Sequence, residues 1–309
     1  TVLGRNEPVT ITEVDITQGL GSYPFVVGKE TLIYAKFDGL FGNPAGDSAI
    51  VSLPSPTDGF DYEFRFDSYK WDFNNKKTVA YCHIPLGVIQ TKGIYPFTID
   101  IRKNGQSLIQ PEDMVKSRAF NTTKNINLYF VKFTDVPYEQ WTHKDPFPWF
   151  DMRTFLYGIE TFKRTYPVAR NGVNFRFGGG VYIEGLKDDS QKEDEDEIYL
   201  EIQRILNKSR SKTNPIDRIV ALLDSSLRET NHPGFSRMKS EKAVTYFGSG
   251  DFTETRAYTS WGYLLIHEIG HTHGLVSDSQ PNSDDDNHSI NMILDEDFGP
   301  VTAWNSLTD

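Results

Sequence analysis

The first third of the chain is broken into short stretches that only strands can use. Residues 10–15, 31–37, 49–53, 62–66, 78–84 and 97–101 are rich in β-branched and aromatic side chains, and many alternate apolar and polar with a period of two. Turn residues lie between them: Gly and Ser at 19–22, Gly, Asn and Pro at 42–47, Pro and Gly at 54–59, and Asn-Gly at 104–105. A helix needs a longer run with a 3.6-residue period, and none is present here. This pattern predicts an all-β sandwich over residues 1–124.

Beyond the polar stretch 121–125 the texture changes. Residues 127–133 read as a strand. From 149 to 163, Phe150, Phe155, Ile159 and Phe162 recur at helical spacing, and Pro167 closes the helix soon afterwards. Residues 173–184 read as strand interrupted by Gly178, Gly179 and Gly180, as a bulge or a hairpin. A charge run at 187–197 leads into a helix at about 198–209. Strands follow at 218–223 and 243–247, then a helix at roughly 257–274, a polar loop, and a short helix near 300–307. Alternating strands and helices predict an α/β domain over 125–309.

The chemistry is concentrated late in the chain. His267-Glu268-Ile269-Gly270-His271 is an H-E-x-x-H sequence. On a helix, residues four apart lie one above the other, so both imidazoles can reach one metal at ~2.0–2.1 Å. Glu268 sits beside the first of them, slightly rotated, where it reaches a metal-bound water. Zinc lowers the pKa of such a water to roughly 7, and a carboxylate can take its proton as it attacks a carbonyl carbon. Trp261, Leu264, Leu265 and Ile269 supply the apolar positions of a buried helix. Gly274 can end it with a positive φ.

His267, Glu268, His271 and Gly274, followed by Ser289-Ile290-Asn291-Met292, resemble the zinc-binding region of the metzincin clan of metallopeptidases. The resemblance implies a metzincin-like α/β zinc peptidase domain after the sandwich. It implies Met292 as an apolar floor beneath the metal. It also implies that an edge strand, here Ala243, Val244, Thr245, Tyr246 and Phe247, aligns an extended peptide substrate by backbone pairing. One position departs from the clan: residue 277, where a third ligand is expected, is serine. Asp278 is the preferred alternative, reached by a one-residue bulge after Gly274, and His288 is the next. A neutral hydroxyl is a poor zinc ligand. Leu294 stands where some members keep a tyrosine.

Composition narrows the partners. Forty-three acidic against 32 basic residues give a net charge of −11, which argues against nucleic acid and against anionic membrane surfaces. No apolar run is long enough to span a bilayer. Cys82 is the single cysteine, so no intrachain disulfide can form. The chain starts without Met and without a basic-then-apolar leader, which suggests a processed, secreted protein. Asp284, Asp285 and Asp286 could hold Ca2+, but a solvated acidic loop is the simpler reading. The expectation is therefore a secreted zinc endopeptidase acting on protein or peptide substrates. The alternative is a zinc-binding adhesion protein that has lost catalysis, and Ser277 motivates it. The sequence carries no signal for oligomeric state.

Overall fold

The computed structural model describes residues 8–18, 25–55, 60–140, 147, 149–184, 192–209, 213, 215–224, 234–236, 241–247, 261, 262, 264–266, 268–270, 272, 293–295 and 299–301. They fall into two units, Thr1–Thr123 with Asn291–Asp309, and Lys124–Ile290.

The first unit is built from β1 (Thr10–Thr17), β2 (Phe25–Val26), β3 (Thr31–Asp38), β4 (Asp47–Pro54), β5 (Asp61–Arg65), β6 (Ser68–Asp72), β7 (Lys77–Ile84), β8 (Gly93–Lys103), β9 (Gln106–Ser107) and β10 (Val115–Asn121). One sheet has the order β1-β3-β7-β6 and is antiparallel throughout. The other has the order β2-β10-β8-β4-β5, with β9 on β8. Period-two patterning decides which face goes inward. On β8, Tyr95, Phe97, Ile99 and Ile101 are buried while Ile94, Thr98 and Arg102 are exposed. These side chains meet Ile33, Ala35 and Phe37 of β3, and Ala80 and Cys82 of β7, in one core. Apolar burial of this kind contributes roughly 25 cal/mol per Å2. Leu32, Tyr34, Val79 and Tyr81 point the other way and form a second buried cluster, so β3 and β7 are apolar on both faces.

The second unit contains β11 (Ile126–Thr134), α1 (Met152–Thr165), β12 (Val173–Tyr182), α2 (Lys192–Ser209), β13 (Arg218–Asp224), β14 (Gly234–Ser236) and β15 (Lys242–Phe247). A further helix, α3, is described at 261, 262, 264–266, 268–270 and 272. The sheet order is β12-β11-β13-β15-β14. The first four strands run parallel and β14 pairs antiparallel to β15. Helices cover both faces, as nearly continuous apolar strands require. Ile198, Tyr199, Ile202 and Leu206 of α2 pack against Val131, Phe133, Ile219, Ala221, Leu223 and Val244. On the opposite face Phe130 contacts Phe155 of α1 at 5.0 Å and Trp261 of α3 at 6.2 Å between ring centroids. Asp151 starts α1 by accepting from the backbone N–H groups of Arg153 and Thr154.

The expected fold class, an all-β sandwich followed by a metzincin-like α/β zinc peptidase domain, does not hold. The chain is dominated by strands in several sheets. The arrangement expected around the active-site helix also differs in two places. Ala243–Phe247 is not an edge strand: β15 lies between β13 and β14, with Ala243, Val244 and Thr245 paired to Ser236, Phe235 and Gly234. Ala243, Val244 and Thr245 thus have neighbours on both sides, which leaves Tyr246 and Phe247 as the part of this stretch with a strand on one side among the described residues. The edge is β14, whose sequence Gly-Phe-Ser is too short to announce itself. At the other place, Gly299–Val301 is a strand, β17, paired with Ile293–Asp295, β16, rather than the start of a helix. Gly-Pro at 299–300 disfavours helix there. The glycines at 178–180 form a bulge within one strand and not a hairpin: Gly178 and Gly179 lie opposite Val131 where the β11–β12 register shifts.

Candidate metal and catalytic site

The site is built on α3, and α3 is held by what surrounds it. Leu265, Ile266 and Ile269 are fully buried, as the apolar side of a helix packed against α1 and the sheet must be. Trp261 anchors α3 to its neighbours. The indole packs at 5.2 Å from Phe155 and 5.1 Å from Phe247, and its Nε1–H donates to Thr245 Oγ1 of β15 at 3.3 Å. Glycines set the close approach of α3 to α1. A Cβ on Gly158 would lie 2.0 Å from Cε3 of Trp261, and a Cβ on Gly262 would lie 2.7 Å from Cβ of Thr161. Neither position has room for a side chain.

Thr272 of α3 is tied to β13. Arg218 donates through Nε to Thr272 Oγ1 at 2.6 Å and through Nη2 to the Thr272 carbonyl at 3.4 Å. The Thr272 hydroxyl in turn donates to the Ile269 carbonyl at 2.6 Å. The preceding residue is fixed as well: Asp217 Oδ2 accepts from both the backbone N–H and the Nδ2 of Asn127, each at 2.8 Å.

Glu268 is 3 % exposed, between buried Ile266 and Ile269. Among the described residues of α3 it is the one charged side chain. A carboxylate taken out of water is costly unless donors or positive charge meet it. His267 and His271 lie outside the described residues, as do Ser277, Asp278, Asp284 to Asp286, His288 and Met292. Among the described residues, no group of three His, Cys, Asp or Glu side chains is placed to hold a metal. In its chemistry the donor set of the sequence, two imidazoles four residues apart, suits zinc. Arg218, Thr272 and Gly158 were not legible as site residues, because each acts through a partner far away in the chain.

No protein family profile matches the chain, and no curated protein does. It is similar to several solved structures. A DNA glycosylase AlkC of Pseudomonas fluorescens, bound to DNA containing an abasic site analog, has 10% identity and a TM-score of 0.25 over 37% of this chain and 30% of its own. A chaperone–substrate complex has 12% identity and a TM-score of 0.33 over 69% and 34%. A family 123 glycoside hydrolase from Clostridium perfringens has 10% identity and a TM-score of 0.23 over 72% and 48%. The chain thus spans about a third of the length of the first two and about half that of the third. Similarity at this level carries no argument about fold or function.

The resemblance to the metzincin clan does not stand. No family profile supports it, and the described residues contain no metal-holding group. It rested on four motif residues and one methionine, with serine at the third-ligand position and leucine at 294. Among the described residues, no helix is long and apolar enough to cross a membrane.

Proposed function

We propose that this chain is a zinc-dependent endopeptidase that hydrolyses peptide bonds in protein substrates, acting outside the cell. The observation that carries the reading is Glu268, a carboxylate 3 % exposed on an otherwise apolar helix, flanked in sequence by His267 and His271 at i−1 and i+3. A purely structural metal site has no use for a base beside its first ligand. His267 and His271 would hold the metal through imidazole nitrogens, with Asp278 or His288 as the third donor. Zinc, when bound, acidifies a water and polarises the scissile carbonyl. Glu268 accepts the water's proton on its carboxylate as the oxygen attacks the carbonyl carbon. It then delivers that proton to the amine nitrogen as the C–N bond breaks.

The test is cleavage of an unfolded protein such as casein by zinc-loaded wild type and by Glu268→Gln. Glutamine keeps the shape and removes the base, so cleavage falls by a factor of ~10² or more while zinc stays bound. Stoichiometric zinc with no cleavage by wild type would instead favour the second reading, a zinc-binding adhesion protein without catalysis, for which Ser277 is the motive.

A further inference from the structure

We propose that the hairpin joining β6 to β7 is a glycan-binding platform, on which Trp71 and Phe73 stack against the sugar rings of a neutral polysaccharide. This site lies in the first unit and stands apart from the peptidase reading. Two large rings are left side by side in water there. Phe73 is 62 % exposed and Trp71 38 %, with 6.4 Å between their centroids. Adjacent exposed aromatics of this kind mark binding surfaces. They end a row of rings that begins in the core. Phe37 stacks on Phe41 at 4.3 Å, Phe41 meets Tyr69 at 6.3 Å, and Tyr69 stacks on Trp71 at 5.7 Å with 15° between the planes. Phe37 and Phe41 are buried, so the row is mounted on the sandwich and not on the hairpin alone.

The outer rings are fixed before any ligand arrives. Trp71 donates its Nε1–H to the Phe41 carbonyl at 2.7 Å. Asp72 closes the turn: its Oδ1 accepts from the backbone N–H groups of Asn74 and Asn75, each at 3.0 Å, and its Oδ2 accepts from Asn75 Nδ2 at 2.7 Å. Groups held in this way lose little freedom on binding. The same contacts select the ligand. With its one donor turned inward, Trp71 offers ring surface and no hydrogen bond. A sugar ring carries C–H groups on its faces and hydroxyls around its rim. The faces suit the aromatic surface, and the rim suits the exposed Asn74 and Asn75 beside it. A net charge of −11 disfavours polyanions. Lys70, Lys76 and Lys77 outnumber Asp72 on the hairpin, which makes an anionic lipid surface the rival occupant. A tryptophan at a membrane interface keeps its polar end wet, however, and the Trp71 N–H is engaged by a backbone carbonyl.

The experiment sediments the full chain with insoluble cellulose, chitin and starch, and separately with phosphatidylserine vesicles, and measures the bound fraction. Wild type should bind at least one of the three polysaccharides, with an affinity that raised salt leaves unchanged, and should not sediment with the vesicles. Phe73→Ala should weaken that binding roughly three- to tenfold, and Phe73→Tyr, which keeps the ring, should restore it. Phe60→Ala removes a ring 77 % exposed outside the hairpin and should change nothing. Melting temperatures establish that each variant is folded, and Trp71→Phe keeps the test open should Phe73→Ala fail to fold: it too should weaken binding. Binding of wild type to none of the three polysaccharides overturns the proposal. So does full binding by a folded Phe73→Ala variant, or an equal loss in Phe60→Ala. Sedimentation with the vesicles alone would assign the hairpin to a membrane surface. Self-association that Phe73→Ala abolishes, without polysaccharide binding, would assign it to a second copy of the chain. Either result overturns the proposal.

Discussion

Gly158→Ala puts two well-known effects into direct conflict, and the geometry decides the winner. Gly158 lies inside α1, where alanine is favoured over glycine by about 1 kcal/mol. Helix propensity alone therefore predicts a more stable protein. The new methyl carbon, however, would stand 2.0 Å from Cε3 and 2.5 Å from Cζ3 of Trp261. Ordinary contact needs more than an ångström of additional room. Trp261 cannot supply it cheaply, because Phe130, Phe155 and Phe247 surround the indole and Nε1 is tied to Thr245. Overpacking of this kind costs about 1–3 kcal/mol, and a clash this deep belongs in the upper half of that range. The net effect is a loss of about 1–2 kcal/mol, or about 2–8 °C in melting temperature for a unit of this size. Urea unfolding followed by tryptophan fluorescence measures it. Trp261→Phe removes the clashing atoms, so the double variant should be less destabilised than the two single losses added together. A Gly158→Ala protein more stable than wild type would refute the reasoning, since it would mean that α1 and α3 are not packed this closely.

Two further outcomes follow from buried titratable groups in the first unit. Burial pushes Lys29 down from 10.5 to about 7, with Glu30 pulling it partly back. The unfolded chain then binds a proton that the folded one does not between about pH 7 and the ordinary lysine range, so stability rises with pH across that window. Lys29→Met should stabilise the protein at and below neutral pH, with a gain that shrinks by about pH 9; urea midpoints against pH check this, and a pH-independent gain contradicts it. Cys82 is fully buried, and burial followed by the charge of Asp67 raises its thiol to about 12. A thiol reagent at neutral pH should label it only as fast as the core opens, and prompt labelling of the native protein would show that the core between the two sheets is not closed.

What could be read in advance depended on how local the signal was. The stretch at 97–101 became part of β8 because alternation is written into adjacent residues, and those at 31–37 and 78–84 became β3 and β7 because short runs of β-branched and aromatic residues are equally local. β10 escaped notice: Val115, Ser117 and Ala119 are exposed, and Phe120 alone is fully buried, so the segment reads as polar. Its strand character comes from pairing with β8, which no local pattern reveals. β6, Ser-Tyr-Lys-Trp-Asp, was missed for the same reason. On α3 the apolar positions of a buried helix were legible, because Trp261, Leu265 and Ile269 lie close together in sequence. The anchors were not, because Arg218 meets Thr272 54 residues away. The placing of 243–247 at an edge failed because strand order is settled by long-range pairing, and the three residues of β14 are enough to make β15 interior.

The bulge in β12 has a consequence for how the protein behaves in concentrated solution. Among the described residues β12 is the longer edge of its sheet, and a flat edge with unpaired backbone groups is a template for another chain. Gly178, pressed so close to Tyr129 that a Cβ would sit 2.4 Å from its hydroxyl, and Gly179, at φ +90°, bend that edge out of register halfway along. The other edge, β14, offers only three residues. Neither border presents a straight run on which a second copy could pair. Two glycines thus interrupt this edge, and a variant that straightened β12 should assemble edge to edge without first unfolding.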